Sequence, residues 1–231
     1  MKDYANNNTL DVTNPAPRCP VVLLLDTSGS MSGAPISELN QGVRQFLEET
    51  RSDEAAGMSV ELEVITFDDR ASRVVPFRSI AGVNGLPSFG AGGMTSMGAA
   101  LRMATADLKA RRHLYRQTGV SSYRPWVVLM TDGGPNDEWR NAAREMREMG
   151  ERGRIQYIGI EIGHQVDHRT MCQILPANPG PVRLQGLKFK QFFRWLTDSL
   201  RSVSRSTPEQ ESQVRFGDIR SWADLASLEN L

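Results

Sequence analysis

The stretch VVLLLDTSGS, residues 21–30, decides the fold. Val21 to Leu25 is an unbroken apolar run, closed by Asp26 and followed by hydroxyl residues around Gly29. A run of this length without polar alternation suits a strand buried on both faces, the condition of a central strand in a parallel sheet. Trp126 to Met130 is a second such run, and it too ends on a hydroxyl and a carboxylate, Thr131 and Asp132. Open α/β sheets bind ligands just beyond the carboxyl ends of their strands, so Asp26 and Asp132 are expected to approach each other.

Outward from these strands the pattern changes to helical spacing. After Pro35, a residue suited to a first helical turn, Ile36, Leu39, Val43, Phe46 and Leu47 recur at three- and four-residue intervals. Met58–Phe67 and Ser72–Phe77 are extended runs, and the Asp68-Asp69-Arg70 turn between them predicts an antiparallel hairpin. The glycine-rich segment GVNGLPSFGAGGMTSMG leads into a helix marked by Ala100, Leu101, Ala104 and Leu108. A charged helix with Trp139, Ala142, Ala143, Met146 and Met149 precedes a strand over Ile155–Ile160. A last helix carries Phe189, Phe192, Phe193, Leu196, Leu200 and Val203. Strands alternating with helices predict an α/β fold, a doubly wound, mostly parallel sheet with one antiparallel edge strand and helices on both faces.

The 231 residues suffice for one domain with tails. Residues 1–17, rich in Asn, Asp, Thr and Pro, read as a flexible lead-in, and residues 18–205 as the domain. In the tail, 206–231, Phe216, Ile219, Trp222, Leu225 and Leu228 recur every third residue, roughly a helical stripe. That stripe suits either a strap on the parent domain or a motif docking into a partner's groove. The 27 basic and 27 acidic residues balance, which removes the positive field that nucleic acids and anionic lipids select. No run approaches the roughly 20 apolar residues of a membrane span, and the expected location is the cytoplasm. Cys19 and Cys172 fit no disulfide framework and are expected as reduced thiols.

Three segments carry the candidate chemistry: Asp26-Thr27-Ser28-Gly29-Ser30, Gly93-Met94-Thr95-Ser96 and Thr131-Asp132-Gly133. All are rich in hard oxygen donors, the ligands Mg²⁺ prefers, and Gly29 is expected to let the first loop turn tightly. Two carboxylates and three hydroxyls neutralise a dication without saturating it, so the cation stays electrophilic toward an outside Asp or Glu.

These residues resemble the metal-ion-dependent adhesion site of the von Willebrand factor A family, built from DxSxS, a separate threonine and a separate aspartate. Asp26, Ser28 and Ser30 match the first element, Thr95 in GGMTSMGAAL the second and Asp132 in TDGGPND the third. The resemblance covers roughly residues 18–205 and implies a Rossmann-like fold. It implies direct contact of Ser28, Ser30 and, with ligand bound, Thr95 with Mg²⁺, or Mn²⁺ or Ca²⁺, while Asp26 and Asp132 act through water. Within the family, DTSGSMSGAPISELNQGV, TDGGPND and the aromatic last helix are similar to the bacterial tellurite-resistance, TerY-like type. That likeness implies a stress-response setting with protein kinase and phosphatase partners. The cysteine-rich zinc module of longer relatives has no counterpart here.

Other readings are weaker. Ser28 or Ser30 alone could merely cap the next helix. Asp26 at a strand end also resembles the nucleophile of haloacid-dehalogenase phosphatases, but their DxDx[TV] needs a second aspartate where Ser28 stands, so no catalysis is expected. His164, His168 and Cys172 are spaced four apart, as zinc ligands on one helix face would be, without an evident fourth ligand. His113 with Arg111, Arg112 and Arg116 reads as a solvated helix face. The sequence therefore predicts a non-catalytic, metal-dependent protein-interaction module. The alternative is a structural adaptor that binds through its helices or tail, with metal only ordering the loops.

Overall fold

The computed structural model describes residues 10–178 and 180–224. The decisive run forms β1, Cys19–Asp26, all eight residues buried. Helices α1, Ala34–Ser52, and α2, Glu54–Ser59, lead to β2, Val60–Phe67, and β3, Ala71–Ser79. Then come α3, Met97–Thr118, β4, Trp126–Thr131, α4, Arg140–Glu151, and β5, Gln156–Glu161. The order closes with α5, His168–Ile174, β6, Pro181–Arg183, and α6, Phe189–Ser204. The described strands form one six-stranded sheet in the order β3-β2-β1-β4-β5-β6. Every pairing is parallel except β2 with β3.

The period of two along β1 explains why both faces are covered. Val21, Leu23 and Leu25 join a core with Leu39, Val43 and Phe46 of α1 and Phe189, Phe192 and Phe193 of α6. Val22 and Leu24 point the other way, into a core with Leu101, Ala104 and Leu108 of α3 and Met146 of α4. A strand apolar at every position therefore serves two cores. At Gly42 of α1 a side-chain carbon would stand 2.6 Å from the Phe193 ring, so the missing Cβ sets how closely α1 and α6 approach.

The structure departs from the sequence reading in four places. Met58 lies in the last turn of the short helix α2 instead of opening β2, because Asp53 caps that helix by accepting from Ala56 N at 2.9 Å. Arg111 does not face solvent: it is 1% exposed and its Nε lies 2.6 Å from Glu61, which also takes the Tyr115 hydroxyl. Arg112, His113 and Arg116 are exposed. The lead-in is held between residues 11 and 16, where Arg18 donates to the carbonyls of Asp11 at 2.6 Å, Asn14 at 2.9 Å and Ala16. The described tail contains no α-helix, only a single 3-10 turn at Glu211–Gln213.

In place of a helical stripe, the described tail is an irregular strap on the parent domain, one of the two forms the sequence left open. Trp195 Nε1 donates to the Gly217 carbonyl at 2.9 Å, and Phe216 meets the Trp126 ring edge-on at 5.1 Å. Trp222 is 1% exposed against Phe192, ring centroids 5.0 Å apart. Its carbonyl accepts from Gln185 N at 2.7 Å, Asp224 N donates to Arg183 O at 2.8 Å, and Ala223 bridges Leu184 antiparallel. The strap thus closes the β6 edge with backbone bonds. Leu225 and Leu228 lie outside the described residues. Trp222→Ala is expected to cost about 3 kcal/mol, in the usual range for deleting a buried aromatic side chain. Urea denaturation checks this, and a loss below about 0.5 kcal/mol, the scale of a surface substitution, would contradict the anchoring role.

Candidate metal centre

Parallel pairing aligns β1 with β4 so that Leu25 sits opposite Met130, and both strands release their next residues at the same edge. Asp26 is fully buried there. Its Oδ1 accepts from Ser28 N at 2.8 Å and its Oδ2 from the Thr131 hydroxyl at 2.5 Å. The first contact bends the chain at Thr27. The second ties β1 to β4 at the mouth.

The bend turns both serine hydroxyls toward the third loop. Ser28 Oγ lies 3.0 Å from Ser30 Oγ, and Ser30 Oγ donates to Asp132 Oδ1 at 2.6 Å. Neither serine side chain caps a helix, and the residue preceding α1 is Gly33 with φ +85°. The second loop arrives by main-chain pairing, with Gly29 N to Gly93 O at 3.1 Å and Gly92 N to Thr27 O at 3.0 Å. Thr95 is fastened through its backbone: its N–H donates to Asn136 Oδ1 at 3.1 Å and its carbonyl accepts from Asn136 N at 3.1 Å. Neither anchor uses the Thr95 hydroxyl. The structure therefore brings Asp26, Ser28, Ser30, Thr95 and Asp132 onto one set of interlocked loops.

Exposure rises from floor to rim: Asp26 is enclosed, Ser28 and Thr95 are buried, Asp132 is half-buried and Ser30 is exposed. Burial raises the Asp26 carboxyl above its ordinary range, and the Asp132 charge adds to this, while the bonds from Ser28 and Thr131 oppose it. Among the described residues no Lys or Arg is ion-paired with Asp26 or Asp132. Two close carboxylates without a basic neighbour, lined by hydroxyls, form a donor set that fits a hard dication. Groups of three or more His, Cys, Asp or Glu that often mark metal sites are absent among the described residues, and this donor set has only two carboxylates beside its three hydroxyls.

The glycine that matters is not Gly29, whose backbone is outside the left-handed region. Gly93 has φ +71°, and a side-chain carbon there would lie 2.7 Å from the Asp69 carboxyl group, whose Oδ1 accepts from Met94 N at 2.9 Å. Three supporting residues, Asp69, Asn136 and Asp137, were not singled out as site residues in the sequence, and Thr131 was quoted there only as part of Thr131-Asp132-Gly133. Asp137 caps α3 by accepting from Gly98 N and Ala99 N, both at 2.8 Å. Asn136 and Asp137 lie within the quoted TDGGPND, where polar residues closely following Asp132 were the available signal.

The possible zinc trio is divided. His168 and Cys172 meet, Nε2 to Sγ at 3.5 Å, but His168 Nδ1 is engaged by Glu161 at 2.6 Å and His164 is exposed and takes no part.

A six-stranded α/β sheet with an oxygen-lined loop cluster at its carboxyl edge defines a class, and the family comparison agrees with it. The von Willebrand factor type A domain model matches residues 21–185, and the chain belongs to this family. Comparison with curated proteins returned no match. Among solved structures the chain is similar to a von Willebrand factor type A protein from Catenulispora acidiphila, with TM-score 0.62 and 18% identity over 80% of this chain and 43% of that one. It is also similar to proximal thread matrix protein 1 from the mussel byssus with a zinc-occupied MIDAS motif, TM-score 0.58, 16% identity, covering 83% of this chain and 47% of that one. A third is manganese-loaded TRAP protein of Plasmodium vivax, TM-score 0.51, 19% identity, covering 78% and 73%. The chain thus spans less than half the length of the first two. No described helix is long and apolar enough to cross a membrane.

Two substitutions test how the site is built. At Gly98 an added carbon would stand 2.3 Å from the Glu138 carbonyl oxygen and 2.7 Å from Trp139 Cα, both main chain, so Gly98→Ala is expected to cost about 2 kcal/mol through overpacking. Chemical denaturation reads this directly. Because Asp26 ionises less readily folded than unfolded, its contribution favours the fold below the unfolded pKa and is lost as pH rises through the higher folded pKa. Asp26→Asn should therefore raise the melting temperature of metal-free protein at neutral pH, by about 3 °C, and the gain should vanish in acid. A drop at neutral pH would show that the ionised carboxylate stabilises the loops.

Proposed function

We propose that this domain is a non-catalytic, metal-dependent protein-interaction module. The observation that carries the reading is the Ser30–Asp132 contact at 2.6 Å across 102 residues of sequence, beside the buried Asp26 and without a basic partner among the described residues. Ser28, Ser30 and Thr95 would hold a divalent cation, Mg²⁺ by preference for oxygen donors, with Mn²⁺ or Ca²⁺ as alternatives; Asp26 and Asp132 would supply the negative charge. When bound, the cation offers an electrophilic position to a carboxylate from another molecule. The partner is thus a protein presenting an Asp or Glu, and Met94, 59% exposed beside Thr95, gives that side chain an apolar neighbour at the rim.

The names of two relatives, one zinc-occupied and one manganese-loaded, support a metal-binding role for this loop cluster. The similarity of DTSGSMSGAPISELNQGV to the TerY-like type supports a cytoplasmic setting in a bacterial tellurite or stress response, with kinase and phosphatase proteins as candidate partners. No second carboxylate stands where a haloacid-dehalogenase phosphatase would need one, because position 28 is a serine.

Isothermal titration should give saturable Mg²⁺ or Mn²⁺ binding near one equivalent, lost in both Asp26→Ala and Asp132→Ala. Heat signals unchanged by either substitution would defeat the metal reading. Partner capture should be abolished by chelator and by Asp132→Ala but survive truncation at Thr207. The opposite pattern would favour an adaptor that binds through its tail.

A further inference from the structure

The cysteine, histidine and glutamate at the carboxyl ends of β5 and on α5 take no part in the proposed metal function. Glu161 closes β5, is fully buried, and its Oε2 lies 3.2 Å from Arg183 of β6. Its Oε1 lies 2.6 Å from His168 Nδ1. With Nδ1 donating to that carboxylate, Nε2 is the nitrogen turned toward Cys172, whose Sγ lies 3.5 Å away. Histidine and cysteine stand four residues apart in a seven-residue helix, and the glutamate comes from the strand beneath it. A nucleophile, a base within reach of it and a third group fixing the base are the parts of an assisted nucleophile.

The two thiols differ in the way this predicts. Cys19 is enclosed at 0% exposure, and burial and the Glu211 charge hold it as the thiol. Cys172 is only half-buried, so a small reagent can reach it. Burial, then the Glu161 charge, push the pH at which it ionises above that of a free thiol, so little thiolate exists at neutral pH. Reactivity at this position must come from a base that accepts the proton as sulfur attacks.

We propose that Cys172 is a covalent modification site, oxidised by hydrogen peroxide, with His168 accepting the thiol proton and Glu161 positioning the imidazole. Sulfur attacks the distal peroxide oxygen; an S–O bond forms as the O–O bond breaks. The proton passes through His168 Nε2 to the departing hydroxide. Cys172 becomes a sulfenic acid and water leaves, so the two-electron oxidation of sulfur balances the reduction of the peroxide. The site also lies near the oxygen-lined loops: Ile162 N donates to Thr131 O at 2.9 Å, and a side-chain carbon at Gly134 would sit 3.7 Å from Asp167 Cβ at the start of α5.

The test is trapping of sulfenic acid with dimedone during exposure of the full chain to hydrogen peroxide, quantified at each cysteine by peptide mass spectrometry. Folded protein should label at Cys172 and not at Cys19, at least about tenfold faster than the urea-unfolded chain at the same pH, a modest share of general-base assistance. This comparison needs no variant. His168→Gln, on a half-exposed position, should remove the advantage. The charged groups around the pair are Glu161 of β5, Arg183 of β6 and Arg147 of α4, whose guanidinium donates to the Gln173 carbonyl at 3.1 Å. The wild-type rate should level off below the pH at which the thiol itself ionises, whereas His168→Gln should keep climbing through it. Glu161→Gln should shift the wild-type plateau. Labelling no faster folded than unfolded, or a pH profile unchanged in His168→Gln, would overturn the proposal.

Discussion

A buried carboxylate with no basic partner among the described residues is the constraint on which the functional end of this domain depends. Asp26 is enclosed at the end of the central strand, and the hydrogen bonds that hold it come from Ser28 N and the Thr131 hydroxyl. Neutral donors of this kind orient a carboxylate without cancelling its charge, so the protein carries an electrostatic cost until a cation arrives. The same two bonds shape the loops. One turns the serines inward and the other locks the neighbouring strand, so the geometry needed for ligation and the energetic deficit that ligation relieves have a common origin.

The rest of the fold holds this arrangement by close approaches at glycines that leave no room for a side chain and by side-chain bonds from the third loop. Gly93 lies under the Asp69 carboxyl group, and Gly98 lies against the carbonyl of Glu138. Asp137 fixes the start of α3 from the third loop, while Asn136 fixes Thr95 from the same loop. Each of the three loops is therefore positioned by the other two, and a site assembled this way is prepared before any ligand binds.

The apolar runs made the central strands legible, and the antiparallel hairpin was legible from its alternation and its Asp-Asp-Arg turn. The residues at the ends of β1 and β4 were legible by type, hydroxyls and carboxylates, while Thr95, just ahead of α3, stood out through the family resemblance. What the sequence concealed was short or long-range. β6 has three residues and α2 six, too few for a period to appear. Arg111 lies in a run of exposed basic residues, and only the fold brings Glu61 to it from 50 residues away. The helical spacing of the tail misled, although a strap was one of its two readings, because a spacing of three also suits an irregular segment whose Phe216 rests on Trp126 and whose Trp222 rests on Phe192. The Cys172–His168 spacing was visible, but Glu161 became a partner only once β5 ran beneath α5.

Closing the β6 edge with residues 222–224 has a consequence for how copies of this chain can meet. Strand β3 is then the remaining unpaired border of the described sheet, and it discourages continuation. Pro76 offers no amide hydrogen, Arg73 and Arg78 place charge along it, and its register against β2 slips twice. Neither lateral margin is an invitation to strand-by-strand growth. Self-association, should it occur, would have to run through helices or loop tips, which keeps polymerisation by sheet extension and recognition at the loop cluster physically separate.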